Sequence, residues 1–454
     1  MIDCEWTMHC RTKLFVFTLA CFLIESIVSF GSDGVKKLSF REHVAPILQT
    51  HCLACHGAKR SEGGYRLDTA EYLFKAGDSG QQPIVPTRSS ESEVLTRVCS
   101  ADESIRMPVD SEPLKAETIE LLRQWIDEGA SVGDIIQSDP LWLVIPPVRY
   151  PSAPVHYPVL IPVTALAFSD DGSQIVSSGY HEALVWNVPD GTLAQRFENQ
   201  VQRIYSIVNL TSGNKIAIAG GTPGTSGEIR VIDRTTGGVE QVISRSNDVV
   251  LDVALRPGVN EMAVGMTDNT IRLFDLNNWN ERRVLMGHAD WVTQVCFSDD
   301  GTKLGSASRD KSAKVFDAVS GDLLISYPGH TSAVRGVAHV PGSTQWMSVG
   351  ADNKWHRWEL EGAKKIAVLG FGGEPNKFLK VDQSVLVPCN DQCWYRIELA
   401  NNTISRKQAG QSGAIASVAY HPATSRVATG SMDGTIYVWN WADGTQIGSW
   451  KAKP

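Results

Sequence analysis

The residues best suited to chemistry in this chain are two cysteines and a histidine in the segment Cys52-Leu-Ala-Cys55-His56. If the segment forms a helical turn, the side chains three and four positions after Cys52 share its face. That face would present two thiols that can add to the vinyl groups of a porphyrin, and an imidazole that can bind its iron. The spacing therefore favours one covalent c-type haem.

Two other uses of a paired-cysteine motif are less well supported. A thioredoxin-like dithiol should follow a strand within a βαβ pattern, whereas the segment before Cys52 has helical periodicity. A structural zinc ion needs two more ligands, and the surrounding region offers only His43, His51 and Cys99, without a second spaced pair. Both uses stay open as alternatives to haem attachment.

A haem iron bound by one histidine takes a second axial ligand from elsewhere in the domain. Between positions 38 and 133 the chain has one methionine, Met107, in the segment IRMPVDSEP. A thioether there predicts His/Met ligation by His56 and Met107, with a relatively high reduction potential. His43 is the competing ligand, and His51 is a poor one because its backbone is tied to Cys52.

Short amphipathic helices must position these residues. The segment LSFREHVAPILQTHC places Phe40, Val44, Ile47 and Leu48 on one face, and KAETIELLRQWIDEGA repeats this pattern before Gly129 ends it. We therefore expect a small all-α domain over residues 38–133. Prolines interrupt the chain after it, which predicts a partly extended, semi-rigid linker over residues 134–156.

The first 31 residues have the form of a signal peptide. Arg11 and Lys13 precede an apolar run over residues 14–24, and the small residues Ser29 and Gly31 stand at a suitable cleavage site. The run is about half of the ~20 residues that span a bilayer, so a retained membrane anchor is the weaker interpretation. We therefore expect an exported protein that works in the periplasm or elsewhere outside the cytoplasm.

The charge of the chain bears on its partners. The 454 residues carry a formal net charge of −8, and no run of lysines and arginines interleaved with aromatic residues occurs. Because nucleic-acid binding normally needs a basic surface, nucleic acid is not an expected partner.

The expected export bears on the state of the remaining cysteines, because disulfides form outside the cytoplasm. Cys389 and Cys393 flank the turn NDQ, which predicts a cross-strand disulfide in an oxidising compartment. Cys99 and Cys296 have no partner at suitable spacing, so both are expected to be buried free thiols.

After the linker, one strand followed by a polar turn is repeated seven times. The aromatic or aliphatic residues that end this strand recur every 39 to 46 positions, and they are Trp186, Ile232, Phe274, Phe316, Trp358, Ile397 and Trp439. Each unit contains four short strand patterns, and such a period is typical of a propeller blade. Residues 157–454 are therefore expected to form an all-β propeller of seven blades.

The repeats resemble the WD-repeat family. The resemblance rests on "GH" pairs that end in His288 and His330, and on aspartates six residues before the end of the repeated strand, namely Asp268, Asp310, Asp352, Asp391 and Asp433. The first and second units lack this aspartate, so their turn networks are expected to be different or absent. The last unit carries its own outer strand, so closure of the ring by packing alone, or with help from the segment PVLIPV, is left open.

The first domain also resembles a known family. The resemblance to the planctomycete-type cytochrome c domain covers residues 38–133, in the segments FREHVAPILQTHCLACHG, GGYRLDTAEYLFKAGDSGQQPIVP and RMPVDSEPLKAETIELLRQWIDEGA. That family belongs to the class I cytochrome c fold. The resemblance implies Cys52 and Cys55 as thioether anchors of one haem c, His56 as its proximal ligand and Met107 as its distal ligand. Val109 stands where a second proline commonly follows the Met-Pro pair.

Such a haem has both axial positions filled and no open site for a substrate, which indicates single-electron transfer. We expect a non-enzymatic cytochrome whose propeller is a docking scaffold for redox partner proteins in the cell envelope. The alternative is a periplasmic oxidoreductase whose propeller binds a second cofactor or substrate. That alternative needs convergent ligands, whereas the propeller histidines are scattered along the sequence at His181, His288, His330, His339, His356 and His421.

Overall fold

The computed structural model describes residues 37–57, 60–109, 111–139, 141–146, 149–210, 214–246 and 248–454. The predicted signal peptide over residues 1–31 lies outside these ranges. Within them, no helix has the length and apolar character needed to cross a membrane.

The first region has short helices joined by longer described segments without regular secondary structure. It contains a π-helical turn Phe40–Val44 that runs directly into α1 Ala45–His51, then α2 Glu93–Val98, α3 Ala116–Asp127 and α4 Leu141–Val144, with 3-10 turns at Glu62–Gly64 and Ser89–Glu91. Both predicted amphipathic helices are therefore present, one as the π-turn with α1 and the other as α3.

The helices pack around one hydrophobic cluster. Phe40 and Leu48 enter it from the first helical stretch, and Leu122, Trp125 and Ile126 enter it from α3. The rings of Phe40 and Trp125 lie 5.5 Å apart, and the Trp125 indole N–H donates to Ser131 O at 2.9 Å. Because burial of each such side chain contributes about 1.5–3 kcal/mol, this cluster holds the two helices together.

Seven four-stranded antiparallel sheets form the propeller, and each sheet consists of four consecutive strands. Blades 1 to 4 contain β1 Leu166–Phe168, β2 Gln174–Ser178, β3 Ala183–Asn187, β4 Leu193–Phe197, β5 Arg203–Asn209, β6 Lys215–Thr222, β7 Ser226–Asp233, β8 Val239–Ser246, β9 Val250–Leu255, β10 Glu261–Met266, β11 Ile271–Asp275, β12 Glu281–Leu285, β13 Val292–Phe297, β14 Lys303–Ser308, β15 Ala313–Asp317 and β16 Leu323–Tyr327. Blades 5 to 7 contain β17 Val334–His339, β18 Gln345–Gly350, β19 Lys354–Glu359, a 3-10 turn Glu361–Ala363, β20 Lys365–Gly370, β21 Leu379–Val381, β22 Ser384–Pro388, β23 Trp394–Glu398, β24 Thr403–Gln408, β25 Ile415–His421, β26 Arg426–Ser431, β27 Thr435–Asn440 and β28 Gln446–Lys451. The seven-bladed propeller expected from the repeat is confirmed.

The first strand of each blade is the inner one, and first strands of neighbouring blades contact each other around the axis. Polar side chains of these strands also bond to the next blade. Thr293 Oγ1 donates to Val334 O at 2.7 Å, and Asp252 accepts a hydrogen bond from Val295 N at 3.0 Å. These bonds connect blade 4 to blade 5 and blade 3 to blade 4.

Blade 7 closes on blade 1 without exchanging a strand. Ser417 Oγ of blade 7 donates to Val163 O at 2.6 Å, and Val163 N donates to Ser431 O at 3.1 Å. The Val163 side chain is buried, and Tyr157 packs in a hydrophobic cluster that blades 1 and 7 share. The segment PVLIPV therefore lies in the seam, by which we mean the junction between blades 7 and 1. Of the two modes of closure left open by the sequence, the structure shows the one in which this segment takes part.

The predicted linker over residues 134–156 contacts both parts of the chain. Leu141, Val144 and Ile145 pack in the cluster of the helical region, and Leu141 N donates to Asp68 O at 2.8 Å. Farther along, Tyr150 packs against the cluster between blades 1 and 2. The described part of this segment is thus bound to protein at both of its ends.

Candidate functional site

The segment from Cys52 to His56 forms a turn at the end of α1. Cys52 caps that helix, with its N–H bonded to Leu48 O at 3.0 Å. The N–H groups of Cys55 and His56 both donate to Cys52 O, at 3.2 and 3.0 Å. These bonds define the helical turn that was predicted to put the three side chains on one side.

The His56 ring is oriented by the backbone of Tyr65. Its Nδ1 lies 3.3 Å from Tyr65 O, and His56 O accepts a hydrogen bond from Leu67 N at 2.8 Å. Tyr65 is in turn fixed by its hydroxyl, which donates to Leu73 O at 2.9 Å. Because a metal-binding histidine normally donates one ring N–H to such an acceptor, this contact leaves Nε2 as the ligand nitrogen. The donor set therefore fits a haem iron.

The side chain of Cys52 is partly buried and packs against the helical cluster beside Leu53. Burial, followed by the neighbouring Cys55, raises the pKa of the Cys52 thiol to about 12. Such a thiol lacks the lowered pKa that is typical of a reactive redox dithiol.

Met107 occupies a loop that is anchored to α2. Its N–H donates to Arg97 O at 3.1 Å, and its partly buried side chain packs against the same cluster as Cys52. The competing ligand, His43, is already engaged at the start of the first helix. Its Nδ1 lies 3.1 Å from Ser39 O and 3.2 Å from Ser39 N. Met107 thus packs in the same cluster as Cys52, and the His43 ring is held at the start of the first helix through its Nδ1.

The "GH" histidines of the propeller make structural hydrogen bonds. His330 Nδ1 lies 3.0 Å from the Asp352 carboxylate, its Nε2 lies 2.9 Å from Ser348 Oγ, and the indole N–H of Trp358 donates to the same oxygen at 3.2 Å. In blade 4, His288 makes matching contacts with Asp310 and Ser306, at 2.8 and 2.7 Å. These networks fix turns and contain no exposed reactive group.

Blades 1 and 2, which lack the turn aspartate, have a different network. Each buries a glutamate four residues before the end of its repeated strand, Glu182 in blade 1 and Glu228 in blade 2. Each glutamate pairs with an arginine of the outer strand, Arg196 or Arg245. The sequence interpretation missed these pairs. The signal was available, because glutamate takes this repeat position in those two units alone.

The structure brings together two histidines that are separate in the sequence. The His330 and His356 rings are stacked, with centroids 4.0 Å apart and planes 9° apart, and Asp352 lies beside them. A metal ion binds an imidazole nitrogen in the plane of the ring, so two parallel stacked rings do not direct nitrogens at one ion. Burial, followed by the nearby charge of His330, lowers the pKa of His356 to about 3. The stacked geometry therefore indicates packing of the two rings against each other.

A cavity of about 410 Å³ follows the axis of the ring. Lys377 reaches across it from blade 6 to Asp252 of blade 3, with Nζ and Oδ1 2.9 Å apart, and also donates to Leu251 O. Lys380 pairs with Asp299 of blade 4. These charges neutralise each other across the ring, so the described lining does not supply the convergent ligands that an oxidoreductase would need.

The structure corrects the expectations for the remaining cysteines. The thiols of Cys389 and Cys393 are both free and buried, although Cys389 N donates to Cys393 O at 3.0 Å across the turn. Burial raises the pKa of both thiols, which keeps them neutral within a hydrophobic cluster. Cys99 is a free thiol but exposed, because it lies at the end of α2, and Cys296 is free and partly buried.

Comparison with known families separates the same two regions. Residues 52–110 match the family model described as planctomycete cytochrome C. Residues 279–317, 321–359 and 402–440 match the model described as WD domain, G-beta repeat. The first match begins at Cys52 and includes Met107, and the second falls on blades 3 to 7.

The curated relatives share the propeller repeats. The nuclear distribution protein PAC1 of Arthroderma benhamiae is 33% identical over 144 residues, which is 29% of this chain and 31% of the relative. The WD repeat-containing protein 91 homolog of Dictyostelium discoideum is 21% identical over 300 residues, or 60% of this chain and 38% of the relative. Actin-interacting protein 1 of Drosophila melanogaster is 24% identical over 191 residues, or 40% of this chain and 31% of the relative. The chain spans about a third of the length of these relatives.

Proposed function

We infer that this chain, in which a planctomycete cytochrome C region precedes a seven-bladed WD-repeat propeller, is an exported c-type cytochrome that transfers single electrons. The helical region is then a class I cytochrome c domain. Cys52 and Cys55 hold one haem c through thioether bonds, His56 binds the iron as proximal ligand, and Met107 binds it as distal ligand.

The observation that carries this proposal is the orientation of His56. Its Nδ1 faces Tyr65 O at 3.3 Å, directly beyond two cysteines on the same helical turn. A haem c bound there supplies reversible one-electron chemistry at its iron. The protein's own part is to hold the imidazole in one orientation, through a carbonyl that the Tyr65 hydroxyl fixes by donating to Leu73 O. The cluster beneath Cys52 and Met107 keeps water from that side.

We assign the propeller to protein docking. WD-repeat propellers present loop-rich faces on a rigid ring, and binding of other proteins is their usual role. The blade networks described above stabilise turns, and the axial lysines are paired, so the ring has the character of a scaffold. The partners we propose are redox proteins of the cell envelope.

Export is the remaining part of the proposal. Its support is the form of residues 1–31, where a basic start precedes an apolar run and a small-residue cleavage site. Covalent haem attachment by this motif fits such a location, since maturation takes place outside the cytoplasm in bacteria that export c-type cytochromes.

The test is an absorption spectrum of the full chain matured with a periplasmic haem-attachment system. We expect one covalent haem per chain, with an unsplit c-type band in the reduced state and a weak near-infrared sulfur-to-iron band in the ferric state. Met107→Ala should abolish the near-infrared band. His43→Ala and Met286→Ala, the latter at a methionine of the propeller that is 75% exposed, should leave it unchanged.

Each result has a definite meaning. A wild-type protein that emerges without haem would overturn the cytochrome assignment as a whole. Survival of the near-infrared band in Met107→Ala would remove Met107 alone as a ligand. A second chromophore or metal in stoichiometric amount in protein purified from its native envelope would replace the scaffold role with the oxidoreductase alternative.

A further inference from the structure

We propose that blades 1 and 2 form a docking surface dedicated to the helical region, and that they lock it onto the propeller as one rigid unit. The occupant of this surface is a strap, which we define as residues 145–146 and 149–157 of the same chain. The proposal does not depend on haem, because no contact that carries it involves the residues proposed to bind haem.

Blade 2 holds the start of the strap. Glu228 and Arg245 are buried, with side chains 3% and 8% exposed, and their Oε1 and Nε lie 3.1 Å apart. The terminal nitrogens of the same guanidinium point away from this pair toward the strap. Nη1 donates to Ile145 O at 3.3 Å and Nη2 donates to Pro146 O at 2.8 Å. One arginine thus joins a buried carboxylate to two consecutive carbonyls of the strap.

Blade 1 holds the end of the strap in the same manner. Glu182 is fully buried and accepts two hydrogen bonds from Arg196, at 2.6 and 2.8 Å. The same guanidinium donates to Pro154 O at 2.7 Å and to Val155 O at 3.3 Å. Two blades that lack the family's aspartate therefore carry the same replacement, and both replacements bind the strap.

Two tyrosines of the strap also contact the propeller, through their own side chains. The Tyr157 hydroxyl donates to Glu182 Oε1 at 2.5 Å and accepts a hydrogen bond from Tyr180 N at 3.0 Å. The Tyr150 ring lies 4.6 Å from the guanidinium carbon of Arg230, which itself pairs with Glu228. Tyr150 N donates to Asn199 Oδ1 at 2.8 Å. Glu182 is therefore shared between Arg196 and Tyr157 of the strap, and Tyr150 of the strap lies against the arginine that pairs with Glu228.

The composition of the strap suits this surface. Proline has a carbonyl acceptor but no N–H donor, and the arginines offer donors without acceptors. Pro146 and Pro154 each use their carbonyl toward an arginine. At these two positions the strap therefore lies against an arginine with no backbone N–H of its own to satisfy.

The docking is rigid because no flexible residues separate the strap from the hydrophobic cluster of the helical region. Ile145 has its side chain in the hydrophobic cluster of the helical region, while its carbonyl is bound by Arg245 of the propeller. Leu141, four residues earlier, is buried in that cluster and bonded to Asp68. A domain whose core residue is itself part of the contact cannot rotate freely about the ring.

The first test is limited trypsin digestion of the full chain below its unfolding temperature. Arg149 is an exposed trypsin site within the strap, and cleavage there requires the strap to leave the ring. Arg245→Met removes the donors to the strap. Arg256→Met is the matched control, because Arg256 pairs with buried Glu261 at 2.7 Å and donates to the carbonyls of Gly301 and Ala318, all within the propeller.

We expect cleavage after Arg149 to be at least 10-fold faster in Arg245→Met than in Arg256→Met at equal distance from their unfolding temperatures. Rates within twofold of each other would overturn the proposal. If Arg245→Met fails to fold, Tyr150→Ala is used in its place, since it leaves the buried ion pairs intact and should accelerate the same cleavage.

The second test is small-angle X-ray scattering of the wild-type chain. A rigid unit predicts a scattering curve that one arrangement of the two regions fits, and a longer maximum dimension in Tyr150→Ala. A wild-type curve that requires an ensemble of arrangements, as for domains on a free linker, would overturn the proposal.

Discussion

Blades 5 and 2 have the same four-stranded frame, and they differ in what their buried acid holds. In blade 5, Asp352 holds His330 and the N–H of Thr331, so its network ends within the blade. In blade 2, Glu228 holds Arg245, whose remaining donors reach the strap. The difference teaches that the acid at the turn of a blade can serve either its own blade, as Asp352 does, or a neighbouring segment of the chain, as Glu228 does from a position two residues later in the repeat.

The physical reason lies in the number of donors. A histidine has two ring nitrogens, and His330 uses one for Asp352 and the other for Ser348. An arginine has five N–H donors in a planar fork, so a carboxylate that takes one or two of them leaves others to bind a second partner. A buried carboxylate that pairs with an arginine, instead of with a histidine, can therefore belong to a network that binds outside its own blade.

The largest expected effect is at the outward network of blade 2. Glu228→Ala would leave the buried guanidiniums of Arg230 and Arg245 without their carboxylate, so we expect a loss of about 3–5 kcal/mol in the free energy of unfolding, measured in guanidinium chloride. Glu374→Ala is the control, because that side chain is 32% exposed and pairs with Arg335, and its loss should be at most about 1 kcal/mol. Equal losses in the two variants would show that the buried ion pairs of Glu228 stabilise the fold no more than the exposed Glu374–Arg335 ion pair does.

The inward network of blade 5 should give the next effect. Asp352→Ala removes the acceptor of both His330 and Thr331 N, and we expect a loss of about 3 kcal/mol in the same titration. Asp268→Ala in blade 3 changes the same repeat position where no "GH" histidine is held. Its side chain is 43% exposed, and its loss should be about 1 kcal/mol or less. A loss at Asp268 as large as at Asp352 would contradict the role given to the histidine.

The histidine stack should make blade 5 sensitive to acid. The folded pKa of His356 is lowered to about 3, below its unfolded value of 6.5, so the unfolded chain binds a proton over the range where the folded chain does not. Stability is therefore complete above about pH 6.5 and falls as the pH decreases toward 3. Between pH 6 and 4.5 we expect His356 to account for about 2 kcal/mol of this loss. His356→Gln should reduce the slope over this range, and an unchanged slope would exclude His356 as its source.

The smallest expected effect concerns the seam of the ring. Ser417→Ala removes the 2.6 Å hydrogen bond from blade 7 to Val163 O, and we expect a loss of about 1 kcal/mol in the free energy of unfolding. Thr293→Ala, which removes the corresponding bond from blade 4 to blade 5, should cost a similar amount. A much greater loss at Ser417 would show that closure at the seam is the weak point of the ring.

The sequence predicts those parts of the candidate site whose residues are close together along the chain. Cys52, Cys55 and His56 fall within one turn, so their common orientation follows from helix geometry alone. The partner of His56 did not follow, because Tyr65 O reaches Nδ1 only through the fold of the intervening loop.

The sequence by itself determined the number of blades, the order of their strands and the two helices around the cysteine pair. These follow from local periodicity, because a period near 42 residues and a helical spacing of apolar side chains each have one compact solution. Only the tertiary structure decided that the strap lies on blades 1 and 2, that His330 and His356 stack, and that Val163 lies in the seam. Each of these depends on contacts between residues far apart in the chain, where the pairing is selected by packing and buried charge and leaves no periodic mark in the sequence.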